Sequence, residues 1–267
     1  MNPEYPVYIL SKGRADNCIT ANNLIQANCT NFKIVVEPQD YDKYNFYYDK
    51  AYLLKLDKNN QGVAYVRQYI KDYDKSEYHW ALDDDLKFKK RIYILAMGAY
   101  KNIPYNPLEM FREVEAYVKK YKNIGLAGFR NSVWAFKQKN DISFNKQVAS
   151  CVLVKKNTNA QYNKNIIEDT DYCMQLLTLN YCTVIFNRLL YDAPSQGKEK
   201  GGNTNELYHH KITELQQALV NKWKCFEIEI LKNKKIASRI KPSRIWMTFK
   251  QRPILRPYSE LYGECFL

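Results

Sequence analysis

The segment His79-Trp80-Ala81-Leu82-Asp83-Asp84-Asp85-Leu86 places three consecutive carboxylates directly after an apolar run. Removing a carboxylate from water without a partner is costly, so a buried strand that ends in acids needs a reason for them. Side chains alternate along an extended chain, which puts Asp83 and Asp85 on one face and Asp84 on the other. Two convergent carboxylates are hard oxygen ligands suited to Mg²⁺ or Mn²⁺. The alternative is an acidic loop that merely follows a strand.

The pattern before the triplet predicts alternating strands and helices. Strands are expected at 7–10, 33–36, 51–56 and 78–82, with helices at 15–27 and 63–73 and a helical turn within 40–50. This order is typical of an α/β protein with a mostly parallel sheet, in which ligands bind beyond the carboxyl ends of the strands. Ser11 to Arg14 and the acidic triplet both follow strands, so both are expected at that edge.

The second half of the chain continues the α/β pattern. Helices are predicted at 107–121, 172–179 and 215–223, and strands at 124–129, 147–154 and 181–186. From residue 226 the chain becomes markedly basic. The predicted organisation is one domain over 1–225, with a Rossmann-like mostly parallel sheet, and a basic C-terminal extension over 226–267.

The composition favours a polyanionic partner. The 267 residues include 41 Lys and Arg against 28 Asp and Glu, for a net charge of +13. The many Tyr, Lys and Asn residues also indicate an AT-rich coding bias, which raises the Lys content independently of function. The seven Cys are odd in number and lack CxxC spacing, which predicts reduced thiols and no zinc site. No apolar leader or spanning segment is evident, so a cytoplasmic protein without a membrane partner is expected.

The motifs from Val7 to about His210 resemble those of nucleotide-sugar glycosyltransferases of the A-type fold (GT-A). In that family an acidic motif at a strand end binds the divalent ion, Mn²⁺ or Mg²⁺, that holds the diphosphate of a UDP-sugar donor. A later acidic pair supplies the base of inverting members, and a C-terminal His often completes the metal site. The resemblance implies donor binding by Ser11, Lys12, Arg14, Gly62, Arg67, Asp83 and Asp84, metal binding by Asp85, Asp83 and His209 or His210, and catalysis by Asp169 with Glu168.

A narrower resemblance concerns the acceptor. The opening Tyr8-Ile9-Leu10-Ser11-Lys12-Gly13-Arg14, together with the acidic triplet, is similar to phage TET-associated DNA glycosyltransferases. This implies a hydroxymethylated pyrimidine in double-stranded DNA as acceptor, and the basic surplus fits such a partner. Trp134 and Phe136, next to Arg130 and Asn131, are candidates for the acceptor side, although core positions are the stronger expectation for both rings.

Several alternatives stay open at this point. Lys12 and Arg14 fit a solvent-facing loop, Glu168 and Asp169 fit simple helix capping, and the two adjacent histidines fit the surface. Asp171 is the second choice for the base. An enzyme of the same class could act on a polysaccharide or a protein instead of DNA. Alternatively, the chain could be a nucleic-acid-binding protein without enzymatic activity, in which the acidic clusters are structural. A two-metal nuclease or polymerase is disfavoured by the predicted strand order.

Overall fold

The apolar runs form strands and helices over most of the described chain. The structure is a computed structural model that describes residues 1–194, 212–230, 238–242 and 249–257. Its strands are β1 (Val7–Leu10), β2 (Phe32–Val36), β3 (Leu53–Lys55), β4 (Tyr78–Asp83), β5 (Lys87–Ile94), β6 (Ala99–Pro104), β7 (Ile124–Asn131), β8 (Ile142–Phe144), β9 (Cys151–Lys155), β10 (Cys182–Asp192), β11 (Phe226–Ile230) and β12 (Ser238–Pro242). Its α-helices are α1 (Ile19–Gln26), α2 (Tyr41–Tyr47), α3 (Val63–Tyr73), α4 (Pro107–Val118), α5 (Glu168–Thr178) and α6 (Ile212–Lys222).

Ten of these strands form one sheet in the order β3-β2-β1-β4-β9-β7-β10-β5-β6, with β8 paired to β10. Neighbours from β3 to β4 are parallel, as are β7 and β10, whereas β9 runs antiparallel between β4 and β7. The carboxyl ends of β1, β2, β3, β4, β7 and β10 therefore open on one edge, called here the carboxyl edge. The predicted α/β class with a largely parallel sheet is confirmed.

Alternate side chains of the central strands pack against two helical layers. On one side the fully buried Trp80 ring lies 4.6 Å from Phe111 of α4 and 5.4 Å from Phe129 of β7, measured between ring centroids. Each such buried ring contributes roughly 1.5–3 kcal/mol. On the other side Ala81 belongs to a core cluster with α5 residues such as Leu176. This packing fixes β4, and hence the acidic triplet, in the middle of the sheet.

Most predicted elements occur within a few residues of their predicted bounds, and three differences stand out. The first helix begins at Ile19 and not at Ala15, because the chain first turns at residues 14–17, where Asn17 N donates to Arg14 O at 3.1 Å. The strand predicted from residue 147 begins at Cys151, because Ser150 adopts a left-handed φ of 62°. The basic run at 87–91 is the start of β5, which forms an unpredicted hairpin with β6.

The described part of the C-terminal region contacts the amino-terminal end of β7. Asn123 Nδ2 donates to Arg252 O at 3.0 Å, and Ile254 N donates back to Asn123 Oδ1 at 2.6 Å. The division of the chain at residue 225 stays a prediction. Among the described residues, the six cysteines Cys18, Cys29, Cys151, Cys173, Cys182 and Cys225 are buried and unpaired. Within the same residues, no helix combines the length and the apolar character needed to cross a lipid bilayer.

Candidate active site

The acidic triplet lies at the carboxyl edge, but it is not extended throughout. Asp83 is the last residue of β4, where its N–H donates to Ser150 O at 2.8 Å, and Asp84 and Asp85 form the turn that follows. The expectation that alternation alone places Asp85 beside Asp83 is therefore wrong. Asp83 contacts Arg67, whereas Asp84 and Asp85 both contact Arg14.

Asp84 is buried and bound by the loop that follows β1. Arg14 Nη1 donates to Asp84 Oδ1 at 2.5 Å and to Asp85 Oδ2 at 3.0 Å, and Ser11 Oγ donates to Asp84 Oδ2 at 2.5 Å. Burial raises the pKa of Asp84 to about 6, although Arg14 and Ser11 act in the opposite direction. With only 13% of its side chain exposed, Arg14 does not belong to a solvent-facing loop. Arg14 thus joins the β1 loop to the acidic turn.

The rest of the β1 loop is fixed by residues that follow β2. The Ser11 hydroxyl lies 2.5 Å from the Tyr44 hydroxyl, which also accepts the Arg14 N–H at 3.1 Å. The buried Asp40 accepts the Gly13 N–H at 3.1 Å. Lys12 turns the other way and contacts Asn60 Oδ1 at 2.7 Å and Glu37 Oε2 at 3.5 Å. These contacts hold Ser11 and Arg14 at the acidic turn and Lys12 away from it.

Arg67 of α3 neutralises the other half of the acidic cluster. The helix begins after Gly62, whose φ of 82° and ψ of 169° suit only glycine, and it carries Arg67 beneath the end of β4. Arg67 Nη2 donates to Asp83 Oδ1 at 3.1 Å, and Arg67 Nε lies 3.9 Å from Glu168 Oε1. Arg67 is 6% exposed, and burial alone would lower its pKa, but Asp83 above all, with Glu168 and Asp169, raises it. The predicted helix and the predicted Arg therefore reach the acidic turn.

Glu168 and Asp169 occupy the first turn of α5, four residues earlier than the predicted start of that helix. Burial, then the charge of Asp169, raises the pKa of Glu168 to about 7 despite the opposing charge of Arg67. Asp169 Oδ2 accepts from Gln147 Nε2 at 3.0 Å, and Asp169 Oδ1 accepts from Thr170 N at 2.5 Å. Negative charge at a helix N-terminus is stabilised by the helix dipole, so the position is also favourable structurally.

Asp171, the second choice for the base, lies outside this cluster. Its side chain is fully buried and accepts from Trp223 Nε1 at 2.6 Å, while Lys222 Nζ lies 2.7 Å from the same oxygen, Oδ1. Asp171 therefore ties α5 to α6. The other predicted metal ligands, His209 and His210, lie outside the described residues.

The two aromatic residues expected in the core are on the surface instead. Trp134 is 52% exposed and Phe136 69%, on a short 3-10 helix, Ser132–Lys137, that follows β7. Three residues per turn let Ala135 point inward while its two neighbours point outward. Arg130 donates to Asn187 Oδ1 at 2.9 Å, and Asn131 Oδ1 caps the short helix by accepting from Val133 N at 3.0 Å. Arg130 and Asn131 thus have structural partners.

Two carboxylates at the acidic turn, those of Asp83 and Asp85, are partly open to solvent. The Asp83 side chain is 36% exposed and the Asp85 side chain 20%, so both carboxylates reach solvent at the carboxyl edge. Burial raises the pKa of Asp83, and the charges of Asp85 and Asp169 add to the rise, which is the repulsion that a cation relieves. Among the described residues, no group of three or more acids, His or Cys is arranged to hold a metal. The described residues therefore bring two carboxylates together here and not a complete metal site.

Some residues at the cluster were not found from the sequence. Asp40 and Tyr44 follow β2, so the rule that selected Ser11 to Arg14 could also have selected them. Gln147 and Ser150 precede the antiparallel strand β9, and no pattern indicated that this strand pairs with β4. Their positions depend on a strand order that the sequence did not specify.

Comparisons with known proteins agree with this architecture. A family model described as TET-Associated Glycosyltransferase matches residues 5–202. A crystal structure of S. aureus TarS 1-349 in complex with UDP-GlcNAc aligns with a TM-score of 0.54 at 12% identity, covering 82% of this chain and 66% of that chain. A second structure of TarS 1-349 aligns with a TM-score of 0.48 at 14% identity, covering 72% of this chain and 61% of that chain. This chain therefore spans less than two thirds of the TarS chains, and no curated protein matches it.

Proposed function

Because the chain belongs to the TET-associated glycosyltransferase family, we propose that it transfers a sugar from a UDP-sugar to the hydroxymethyl group of a modified pyrimidine in phage DNA. The observation that carries this proposal is the convergence of Asp83, Asp85, Arg67 and the Glu168–Asp169 pair at one edge of a GT-A-like sheet. The similarity in fold to a UDP-GlcNAc complex supports the donor class.

In this proposal the donor lies across the carboxyl edge. Arg67 Nε is buried with no hydrogen-bond partner among the described residues. An oxygen of the UDP-sugar could accept a hydrogen bond from it. Gly62 opens the helix that carries Arg67, and the Ser11–Arg14 loop borders the acidic turn. Asp84 acts through Arg14 and Ser11 by fixing that loop, whereas Lys12 would need to leave Glu37 to reach a diphosphate.

Asp83 and Asp85 would hold Mn²⁺ or Mg²⁺, with His209 or His210 as a further predicted ligand. When bound, the ion stabilises the negative charge that develops on the departing diphosphate. Around it, Arg67 neutralises the acids that would otherwise repel the donor. Arg14, whose guanidinium contacts both Asp84 and Asp85, sets the position of the Asp85 carboxylate.

Asp169 is the proposed general base of an inverting transfer. The acceptor hydroxyl is a weak nucleophile, and a carboxylate that takes its proton activates it. The hydroxyl oxygen forms the new bond to the anomeric carbon as the bond from that carbon to the diphosphate breaks, and UDP leaves. Gln147 orients Asp169 through the 3.0 Å hydrogen bond, and Glu168 supplies a second carboxyl with a raised pKa beside it.

A double-stranded DNA acceptor fits the net charge of +13 and the family's association with TET enzymes. A hydroxymethyl group on a pyrimidine projects into the major groove, where an enzyme can approach it. Phage DNA as acceptor also agrees with the cytoplasmic location that the sequence predicts.

Hydrolysis of a panel of UDP-sugars, followed with and without Mn²⁺ and with and without hydroxymethylated duplex DNA, tests the donor and the acceptor together. We expect turnover that requires the metal and rises with the modified DNA. Asp85→Asn should lose at least about tenfold in turnover while its thermal unfolding stays unchanged. The matched control is Asp72→Asn, which removes an exposed acid from the surface of α3 and should hydrolyse the donor normally.

Two results would contradict the proposal. Metal-dependent hydrolysis with no response to modified DNA would indicate a UDP-sugar-dependent transferase whose acceptor is a polysaccharide or a protein and not DNA. Tight DNA binding without hydrolysis of any UDP-sugar would exclude the enzyme and leave a nucleic-acid-binding protein.

A further inference from the structure

The hairpin formed by β5 and β6 presents one basic and aromatic face. Antiparallel pairing sets Arg91 opposite Asn102 and Tyr93 opposite Tyr100. Residues directly opposite in such a pair lie on the same face of the hairpin, and the face repeats every second residue. Lys87, Lys89, Arg91 and Tyr93 therefore share this face with Tyr100, whereas Phe88 points to the core on the other.

The short helix Ser132–Lys137 lies against this face and extends it. The Arg91 guanidinium stacks 4.5 Å from the Tyr100 ring centroid, and Arg91 Nη1 donates to Ala135 O. Lys137 Nζ lies 5.2 Å from the centroid of Trp134 and 5.5 Å from that of Phe136. The hairpin and the short helix together are called here the platform. The rings of Tyr100, Trp134 and Phe136 stay exposed although each has a cation beside it.

The charge of the platform has one sign. On this face the hairpin carries three cations, Lys87, Lys89 and Arg91, and no acid, and residues 132–140 contain two Lys and no acid. The acids that border the platform are already paired, because Asp192 contacts Lys89 and Asp141 contacts Arg188 at 2.6 Å. A second copy of this chain would bring the same positive face against it. The complementary partner is a polyanion.

The platform begins at the candidate active site. Lys87 is two residues beyond Asp85, and the pairing of β5 with β10 sets it opposite Asp192 at the carboxyl edge. Ser132 Oγ donates to the same Asp192. The preceding Tyr191 is close enough to Asp83 for that charge to contribute, after burial, to its raised pKa. A strand bound along the platform therefore reaches the acidic cluster without leaving this surface.

We propose that the platform binds the acceptor DNA, with Lys137 and Lys139 on phosphates and Trp134 and Phe136 stacked on an unstacked base. This inference rests on the proposed function for the identity of the acceptor, but binding itself requires no transfer. Exposed aromatic rings between basic side chains are the arrangement that binds exposed bases and their backbone. The proposal assigns recognition to two segments of the folded domain and not to the basic C-terminal extension.

Fluorescence anisotropy with labelled hydroxymethylated duplex DNA tests the platform. Trp134→Ala with Phe136→Ala should weaken binding about tenfold or more, because each stacked base contributes substantially. Lys137→Gln with Lys139→Gln should lower the slope of log K against log salt by about 1 to 2, since each lost phosphate contact removes about 0.9. The matched control is Lys120→Gln, Lys122→Gln and Leu255→Ala, at the amino-terminal end of β7, which should bind DNA within about twofold of the unsubstituted chain.

UDP-sugar hydrolysis without acceptor is measured on the same variants and separates the two proposals. Normal hydrolysis with weakened DNA binding in the platform variants supports both. Weakened DNA binding in a protein that hydrolyses no UDP-sugar supports the platform and overturns the proposed function. Unchanged DNA binding in both platform variants overturns the platform, and so does a loss that the control shares. Loss of self-association in the platform variants, with DNA binding intact, would also overturn it and assign the surface to a second copy.

Discussion

Arg67 is buried among three of the acids in the candidate site. Asp83, Glu168 and Asp169 all act on its guanidinium, and Asp83 lies within 3.1 Å of it. The sequence indicated an Arg facing a nucleotide, but not that this Arg is buried among carboxylates. That burial depends on how α3 and α5 pack beneath the sheet, which no local pattern encodes.

Substitutions at Asp169 and Asp171 should have different effects, the first on catalysis and the second on stability. Asp169→Asn should lower kcat by at least about a hundredfold, the contribution of a general base, with thermal unfolding almost unchanged. Asp171→Asn should leave kcat nearly intact and lower the free energy of unfolding by about 1–3 kcal/mol, because the buried carboxylate binds both Trp223 and Lys222. Steady-state kinetics and urea titration on both variants test this, and the opposite pattern would make Asp171 the base.

His79 should make stability fall in mild acid. Burial, opposed by the charge of Asp74, lowers the pKa of His79 to about 4, and Nδ1 has no partner among the described residues. The unfolded chain takes up this proton near pH 6.5 and the folded chain only near pH 4. Between these values the unfolded state binds more protons, so the free energy of unfolding falls as the pH falls.

The variant His79→Gln removes that titration, so its difference from the unsubstituted chain gives the contribution of His79. The stability of the unsubstituted chain relative to this variant should decrease from pH 7 to pH 4, by at most about 1.4 kcal/mol per pH unit, and then level off. Urea titrations at several pH values measure the difference. Two parallel curves over this range would show that His79 does not titrate differently on folding.

At the scale of the element, Gly62 determines how α3 enters the site. Its φ of 82° is accessible to glycine, and a Cβ added there would meet nothing within 4 Å, so an alanine suffers backbone strain alone. Gly62→Ala should cost about 1–3 kcal/mol of stability and raise the KM for the UDP-sugar, because Arg67 moves with the helix. Unfolding and donor kinetics measure the two effects.

Gly98 at the tip of the β5–β6 hairpin offers the control for Gly62. It has a φ of 59° and equally open surroundings, but it lies on an element that carries no residue of the proposed UDP-sugar site. Gly98→Ala should cost about 1–2 kcal/mol with an unchanged KM for the donor. A similar KM in all three proteins would mean that the start of α3 does not set the donor site.

The elements also show where the sequence was informative. The helix at 63–73 was predicted because its apolar residues recur at helical spacing after a glycine, and that pattern is local. The β5–β6 hairpin was missed because Lys87 to Arg91 resembles a solvated charge run, and its strand character arises from pairing with β10. Trp134 and Phe136 were expected in the core because hydrophobicity was considered without the threefold periodicity of a 3-10 helix.

At the scale of the whole molecule, the carboxyl edge could be predicted because parallel strands bring their ends together whatever their order. The loop at Ser11–Arg14 and the acidic turn were correctly assigned to that edge on this ground. Their direct contact could not be predicted, because Arg14 and Asp84 are 70 residues apart and meet only once β1 pairs with β4. Long-range pairings of this kind also bring Gln147 and Ser150 to the site.

Sugar transfer to modified DNA at the acidic turn can be detected from the mass of the product. Hydroxymethylated duplex DNA is incubated with Mn²⁺, a UDP-sugar and the protein, digested to nucleosides and analysed by mass spectrometry. Such transfer predicts a hydroxymethylpyrimidine nucleoside heavier by one sugar residue, formed by the unsubstituted chain and nearly absent with Asp85→Asn. Nucleosides of unchanged mass, from a protein that hydrolyses the same UDP-sugar, would contradict it.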